Sequence, residues 1–189
     1  MHGVAPSKKM EGGFRLVTGN RNGINTVIKG NKKLEKAKDI IDDLEADMVA
    51  IAEYRVNGKH KRNRNGFRQM FQGGDVEMRA ITAHNMHENV SKFQDRGTSL
   101  ILCGTLVEQY DSENSGKDGT GLGRWVSMVF RGKDRLTTRV ICGYNPCYNN
   151  KKHSGTFYWK NRRYFITKKK DRTCPRKRFR IDLVTQLEK

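Results

Sequence analysis

A mixed α/β fold, with helices covering stacked sheets, is what this sequence predicts. Three observations carry the expectation. Two short apolar runs, Phe14–Gly19 and Met48–Ala52, enclose a segment with helical spacing, which makes a strand–helix–strand unit. A strand-rich middle follows, with apolar runs at Gly97–Cys103, Trp125–Phe130 and Leu136–Tyr144 broken by turn residues. Two more helical segments, Tyr158–Thr167 and Phe179–Leu187, come after it. Helices on both sides of a strand-rich centre fit layers of helix and sheet packed on one core.

The elements justify themselves in order. Met1–Gly13 reads as a flexible tail, and the remainder, 14–189, as one domain. Phe14–Thr18 is strand-like. Asn31–Leu44 is the clearest helix: Leu34, Ala37, Ile41 and Leu44 recur on one face, charged residues fill the other, and Asn31 suits an N-cap. Met48–Ala52 is continuously apolar, as in a strand buried on both faces. Arg55–Asn65 reads as a basic loop, with weaker strands at Phe67–Phe71 and Met78–His84. Gly97–Cys103 and Leu106–Tyr110 read as a strand pair around Gly104, and the polar Asp111–Gly123 as a surface loop. Trp125–Phe130 and Leu136–Tyr144 read as a hairpin around Arg131-Gly132-Lys133-Asp134. Tyr148–Gly155 reads as a loop. A basic stretch, Lys168–Arg178, separates the last two helices, with Pro175 as breaker.

Composition narrows the function. The 189 residues carry a formal net charge of +18, which draws the chain to polyanions, nucleic acid first. No apolar stretch reaches the length of a spanning helix, and Met1–Gly13 has no hydrophobic run of a secretory signal, so a membrane is not expected as partner. Cys103, Cys142, Cys147 and Cys174 form no Cys-x-x-Cys pair, and two of them sit in strand-like runs as small hydrophobes. Reduced thiols place the chain in an intracellular compartment, cytoplasm or nucleus being unreadable.

Each strand of the opening unit ends on a polar group suited to phosphate chemistry, and ligands of α/β proteins gather at the carboxyl ends of strands. Glu53 follows a buried run, so it must be paired, metal-bound or solvent-facing; Arg55 is an obvious partner. Asn20 donates without adding charge, although Asn20-Arg21-Asn22-Gly23 also has the composition of a turn. Tyr144, before Asn145-Pro146, is either a phosphate-touching hydroxyl or an amphipathic rim residue. His84 and His87 would share a helix face, but no further ligand lies near them in sequence. Gly119-Thr120-Gly121-Leu122-Gly123 precedes a strand rather than a helix, so it fails the context of a phosphate-binding loop. Lys160–Arg180 interleaves Arg162, Arg163, Lys168, Lys169 and Lys170 with Tyr164 and Phe165, a pattern suited to phosphate contact and base stacking or to a solvated charge run.

Four segments together resemble the endonuclease/exonuclease/phosphatase superfamily, which includes exonuclease III, apurinic endonucleases, DNase I and non-LTR retrotransposon endonucleases. They are Arg15–Ile24, Ala46–Arg55, Gly97–Ile101 and Val140–Pro146, in family order; Gly121–Trp125 is similar to mobile-element members. The resemblance implies a four-layer α/β/β/α sandwich. It implies a phosphodiesterase that uses Mg²⁺ (or Mn²⁺) on nucleic acid, DNA ahead of RNA. Asn20 would orient the phosphate, Glu53 would bind the metal and Tyr144 would contact the phosphate. Arg21, Asn22 and Arg55 beside them are candidate nucleic-acid-binding residues. Two departures stand out: Ala52 replaces the family's glutamine before the glutamate, and the family's later Asp-x-Asn and Asp-His motifs have no counterpart among His153, Asp171, Asp182 and Glu188. The expectation is therefore a sandwich incomplete at its C-terminal end, weak or inactive alone. The alternatives are a non-catalytic DNA- or RNA-binding module, or a half-domain completed by self-association or a partner chain.

Overall fold

The computed structural model describes residues 8–20, 39–56, 76–86, 97–145, 147–148 and 156–188. Two sheets form the centre of the fold. The first has strand order β1-β2-β4-β3, from β1 (Leu16–Asn20), β2 (Met48–Ala52), β3 (Met78–Ala83) and β4 (Thr98–Cys103). The β1–β2 pair is parallel and the other two pairs are antiparallel. The second sheet is an antiparallel meander of β5 (Tyr110–Lys117), β6 (Trp125–Arg131) and β7 (Thr137–Gly143). Helices α1 (Phe157–Lys169) and α2 (Pro175–Leu187) follow. The fold is mixed α/β, as the periodicity predicts.

Side-chain alternation builds two buried layers. Met48, Leu100 and Leu102 point from the first sheet toward Val126, Met128 and Phe130 of the second, and all six are buried. The opposite parity of the same strands, Val49, Ile51, Ile101 and Cys103, packs under Ile41 from a helical segment at residues 39–43. The continuous apolar runs of β2 and β4 reflect this double burial. On the far side of the second sheet, α2 lies close: Arg139 Nη1 donates to the Gln186 carbonyl at 2.7 Å, and Phe179 covers Gly143.

Three readings differ from expectation. Leu106–Tyr110 does not pair with β4, because Gly104, at φ +62°, turns the chain into a short 3-10 helix over Gly104–Val107; β4 pairs with β2 and β3 instead. The polar segment after it is not wholly loop, since Tyr110–Lys117 is strand β5. An edge strand with one exposed face needs no apolar run. Its register slips between Asp111 and Gly116, where the Asp111 carboxylate accepts from the backbone N–H of Glu113 and Asn114. Pro175 does not break a helix but starts one, at the first turn of α2, where its missing N–H costs nothing. Of the expected helix Asn31–Leu44, its N-cap Asn31 and first turns lie outside the described residues, as do Phe67–Phe71 and most of the two loops Arg55–Asn65 and Tyr148–Gly155.

Cys103 and Cys142 are buried and unpaired, and burial pushes each thiol up to about 11. Neither is a nucleophile at neutral pH.

Candidate functional site: one edge of the two sheets

Register fixes which residues meet. In the parallel pair Asn20 lies opposite Ala52, so Glu53 follows one step beyond. Ala52 and Ala83 both pair with Thr98, so β2 and β3 end where β4 begins. Trp125 pairs with Gly143, so β7 ends where β6 begins. The Thr98 hydroxyl donates to the Gly123 carbonyl at 3.5 Å, and the Cys142 thiol donates to the Ile51 carbonyl at 3.7 Å. Both sheets thus present one shared edge, which collects Asn20, Glu53, His84, Asn85, Gly123, Arg124 and Tyr144.

Asn20 and Glu53 are in direct contact: the amide Nδ2 donates to Oε2 of the carboxylate at 2.9 Å. Asn20 is exposed and Glu53 half-buried. A carboxylate accepts several bonds, so this contact orients Glu53 without saturating it. Glu53 and Arg55 both have positive φ, +56° and +54°, flanking Tyr54. Two non-glycine residues in the left-handed region cost energy, and such strain persists only where the surroundings enforce it.

Tyr54 is what enforces it. Its ring is fully buried, and its hydroxyl lies 3.0 Å from the Ala83 carbonyl and 2.7 Å from His84 Nδ1. Burial pushes the phenol well above its ordinary pKa, so it stays protonated. The phenol has one hydrogen. Giving it to Ala83 leaves the His84 Nδ1–H to donate to the phenol oxygen, and Nε2 then accepts from the Thr82 hydroxyl at 3.1 Å. The rings of Tyr54 and His84 meet edge to face at 5.4 Å. His84 therefore braces the glutamate's turn, and His87 lies outside the described residues. Among the described residues no three His, Cys, Asp or Glu side chains gather into a metal cluster.

Sequence reasoning missed the third feature. Arg124 is 1% exposed and holds two carboxylates. Its Nε and Nη2 bond Asp118 at 2.9 and 2.8 Å, and Nη2 also meets Asp182 of α2 at 2.6 Å. Burial opposes ionisation of Asp118, but the guanidinium overrides it and holds the carboxyl below the usual range; the two aspartates likewise raise Arg124 against its burial. The Arg124 carbonyl accepts the Tyr144 N–H at 2.8 Å, so this ion triad fixes the backbone where Tyr144 leaves β7. A cation stranded between a glycine-rich loop and an apolar strand is the one signal in the sequence; Asp182 lies 58 residues away, and nothing local announces it. Asp182 and Asp171 are ion-pair partners of Arg178 as well.

The remaining candidates divide. Tyr144 is half-buried at the edge, its ring against Phe157 at 6.4 Å. Arg162 stacks over Trp159 at 5.2 Å. Arg163 and Lys168 line a cleft of about 240 Å³ beside Asn85, whereas Lys169 lines a separate one of about 520 Å³ with Asp118, Arg124 and Asp182. Lys170 ends α1 at φ +53°. Phe165 is 2% exposed beneath Arg124, so it is core, not a stacking platform. Arg21 and Asn22 lie outside the described residues.

No protein-family model and no curated protein matches this sequence. Among solved structures the chain is similar in fold to an AP endonuclease from Leishmania major, with a TM-score of 0.54 at 14% identity. The match covers 82% of this chain and 45% of that one, so this chain spans less than half the length of that protein. The likeness is one of fold.

Proposed function

We propose that the chain is a nuclease-like protein that binds nucleic acid and carries a Mg²⁺- or Mn²⁺-dependent phosphodiesterase site at the shared sheet edge. The contact between Asn20 and Glu53 carries this reading. Magnesium prefers one or two carboxylates and keeps several waters. Glu53, half-buried on a braced turn and oriented by a neutral amide, fits that habit and would hold the ion. The bound cation would neutralise a phosphate and its leaving oxygen. Asn20 sets the carboxylate and offers a neutral donor to a non-bridging oxygen. Tyr144, held by the Arg124 carbonyl, lies on the same edge. The charge of +18 supports a polyanionic substrate, and the likeness in fold to an AP endonuclease agrees with nucleic acid at a coarse level.

The test is plasmid nicking and cleavage of abasic and single-stranded DNA, with Mg²⁺ and with chelator. Slow cleavage is expected, abolished by chelator. Glu53→Ala should lower it roughly 10²-fold or more, the equivalent of about 3 kcal/mol of transition-state stabilisation. Robust cleavage indifferent to Glu53→Ala removes the assignment. A second reading, a non-catalytic binding module, draws on the basic cleft along α1. It predicts salt-sensitive binding that ignores both Mg²⁺ and Glu53→Ala.

A further inference from the structure

Residues of α1 that share one face line a cleft against the β3 end. Lys160, Arg163, Tyr164, Thr167 and Lys168 recur at helical spacing along one wall, and Asn85 and Leu122 form the floor. Backbone fixes that floor: Asn85 and Leu122 form an isolated antiparallel bridge, and the Met86 N–H donates to the Gly121 carbonyl at 2.7 Å. Asn85 is 2% exposed and Leu122 3%. Three cations, the rings of Tyr164 and Phe157, and a buried, partly apolar floor therefore surround about 240 Å³. Pockets that take a whole cofactor run to about 300–1,000 Å³. This one is smaller, which suits one unit of a polymer.

We propose that this cleft seats one unstacked nucleotide of a single DNA strand, with the base against Tyr164 and the adjoining phosphates on Lys160, Arg163 and Lys168. The assignment rests on the nucleic-acid reading above and adds the strandedness of the ligand. A paired duplex keeps its bases stacked inward and presents phosphates to a surface. It has no base face to offer Tyr164. A splayed nucleotide has one, and stacking on an aromatic ring is indifferent to which base it is. The structure also separates residues that the sequence treats as one basic run. Arg163 and Lys168 belong to this cleft, Arg162 is stacked on Trp159, and Lys169 lines the other side of the helix.

The test uses the full chain in chelator, so that the Glu53 site contributes nothing. Anisotropy of labelled oligothymidylate and of a labelled duplex of equal length is measured at fixed salt. Tyr164→Leu should weaken single-strand binding roughly 5- to 100-fold and leave duplex binding within about twofold. Tyr164→Phe should keep wild-type affinity, which separates loss of the ring from loss of the fold. Arg163→Glu should weaken the single strand and flatten its salt dependence. Unchanged oligothymidylate binding in Tyr164→Leu overturns the proposal. So does an equal loss for single strand and duplex, or a wild-type chain that binds duplex alone. A wild-type chain that binds neither overturns the nucleic-acid reading with it.

Discussion

Replacing Arg124 with alanine is expected to destabilise the protein by about 3–5 kcal/mol, the usual cost of removing one member of a buried ion pair. The side chains of Arg124 and Asp118 are each 1% exposed. Without the guanidinium, Asp118 keeps the Thr120 hydroxyl and backbone N–H bonds from Thr120 and Arg124 but no countercharge. Asp182 loses its strongest tie to the sheet, and α2 with it. With total stabilities of 5–15 kcal/mol common for single domains, such a loss leaves little margin. Acid adds a signature. A carboxylate whose folded pKa is depressed contributes stability above its unfolded value near 4, and that stability disappears as pH falls through the folded value. Asp118 is in that class. Wild-type stability should therefore fall steeply on acidification below about pH 4, and less steeply in Arg124→Ala. Urea unfolding midpoints at neutral and acid pH measure both effects.

Gly97→Ala should be nearly as damaging, by about 2–5 kcal/mol, and its effect should reach Glu53. Gly97 sits at φ +115°, where side chains are strained. An added Cβ would also come within 2.4 Å of the Tyr54 ring at Cζ. The ring cannot swing aside, because it is fully buried and its hydroxyl is tied to Ala83 and His84. Overpacking of this kind commonly costs about 1–3 kcal/mol beyond backbone strain. Gly119→Ala is the control, since nothing lies within 4 Å of its added Cβ and its φ is ordinary. It should shift the urea midpoint by less than about 0.5 kcal/mol equivalent. Equal effects at the two glycines would remove Tyr54 as the brace of the Glu53 turn.

The sequence made visible what local pattern encodes. Met48–Ala52 is a strand at the bounds expected, because a run this short and apolar at every position suits a strand buried on both faces better than a helix. The β6–β7 hairpin follows from apolar runs of the same kind, and both C-terminal helices lie where the sequence places helical segments. Strand β5 escaped because an edge strand built from Asp111, Ser112, Glu113 and Asn114 has the composition of a loop, and only its pairing with β6 makes it a strand. At the site, the adjacency of Asn20 and Glu53 was legible, since both end strands of one strand–helix–strand unit. The supports were not. Tyr54 with His84 spans 30 residues, and Arg124 with Asp182 spans 58. Burial and pairing at that range arise from how the two sheets stack, and neither leaves a periodic trace in the chain.

Manganese binding followed by electron paramagnetic resonance tests the central claim, that Asn20 and Glu53 form a divalent-cation site for phosphodiester chemistry. Free Mn²⁺ is counted as protein is added, and Mg²⁺ is then titrated as competitor. The wild-type chain should bind one Mn²⁺ that Mg²⁺ displaces. Glu53→Gln should abolish that binding, and Asn20→Ala, which removes the amide holding the carboxylate, should weaken it roughly 10- to 100-fold. Manganese bound with equal affinity by the wild type and Glu53→Gln would contradict the account.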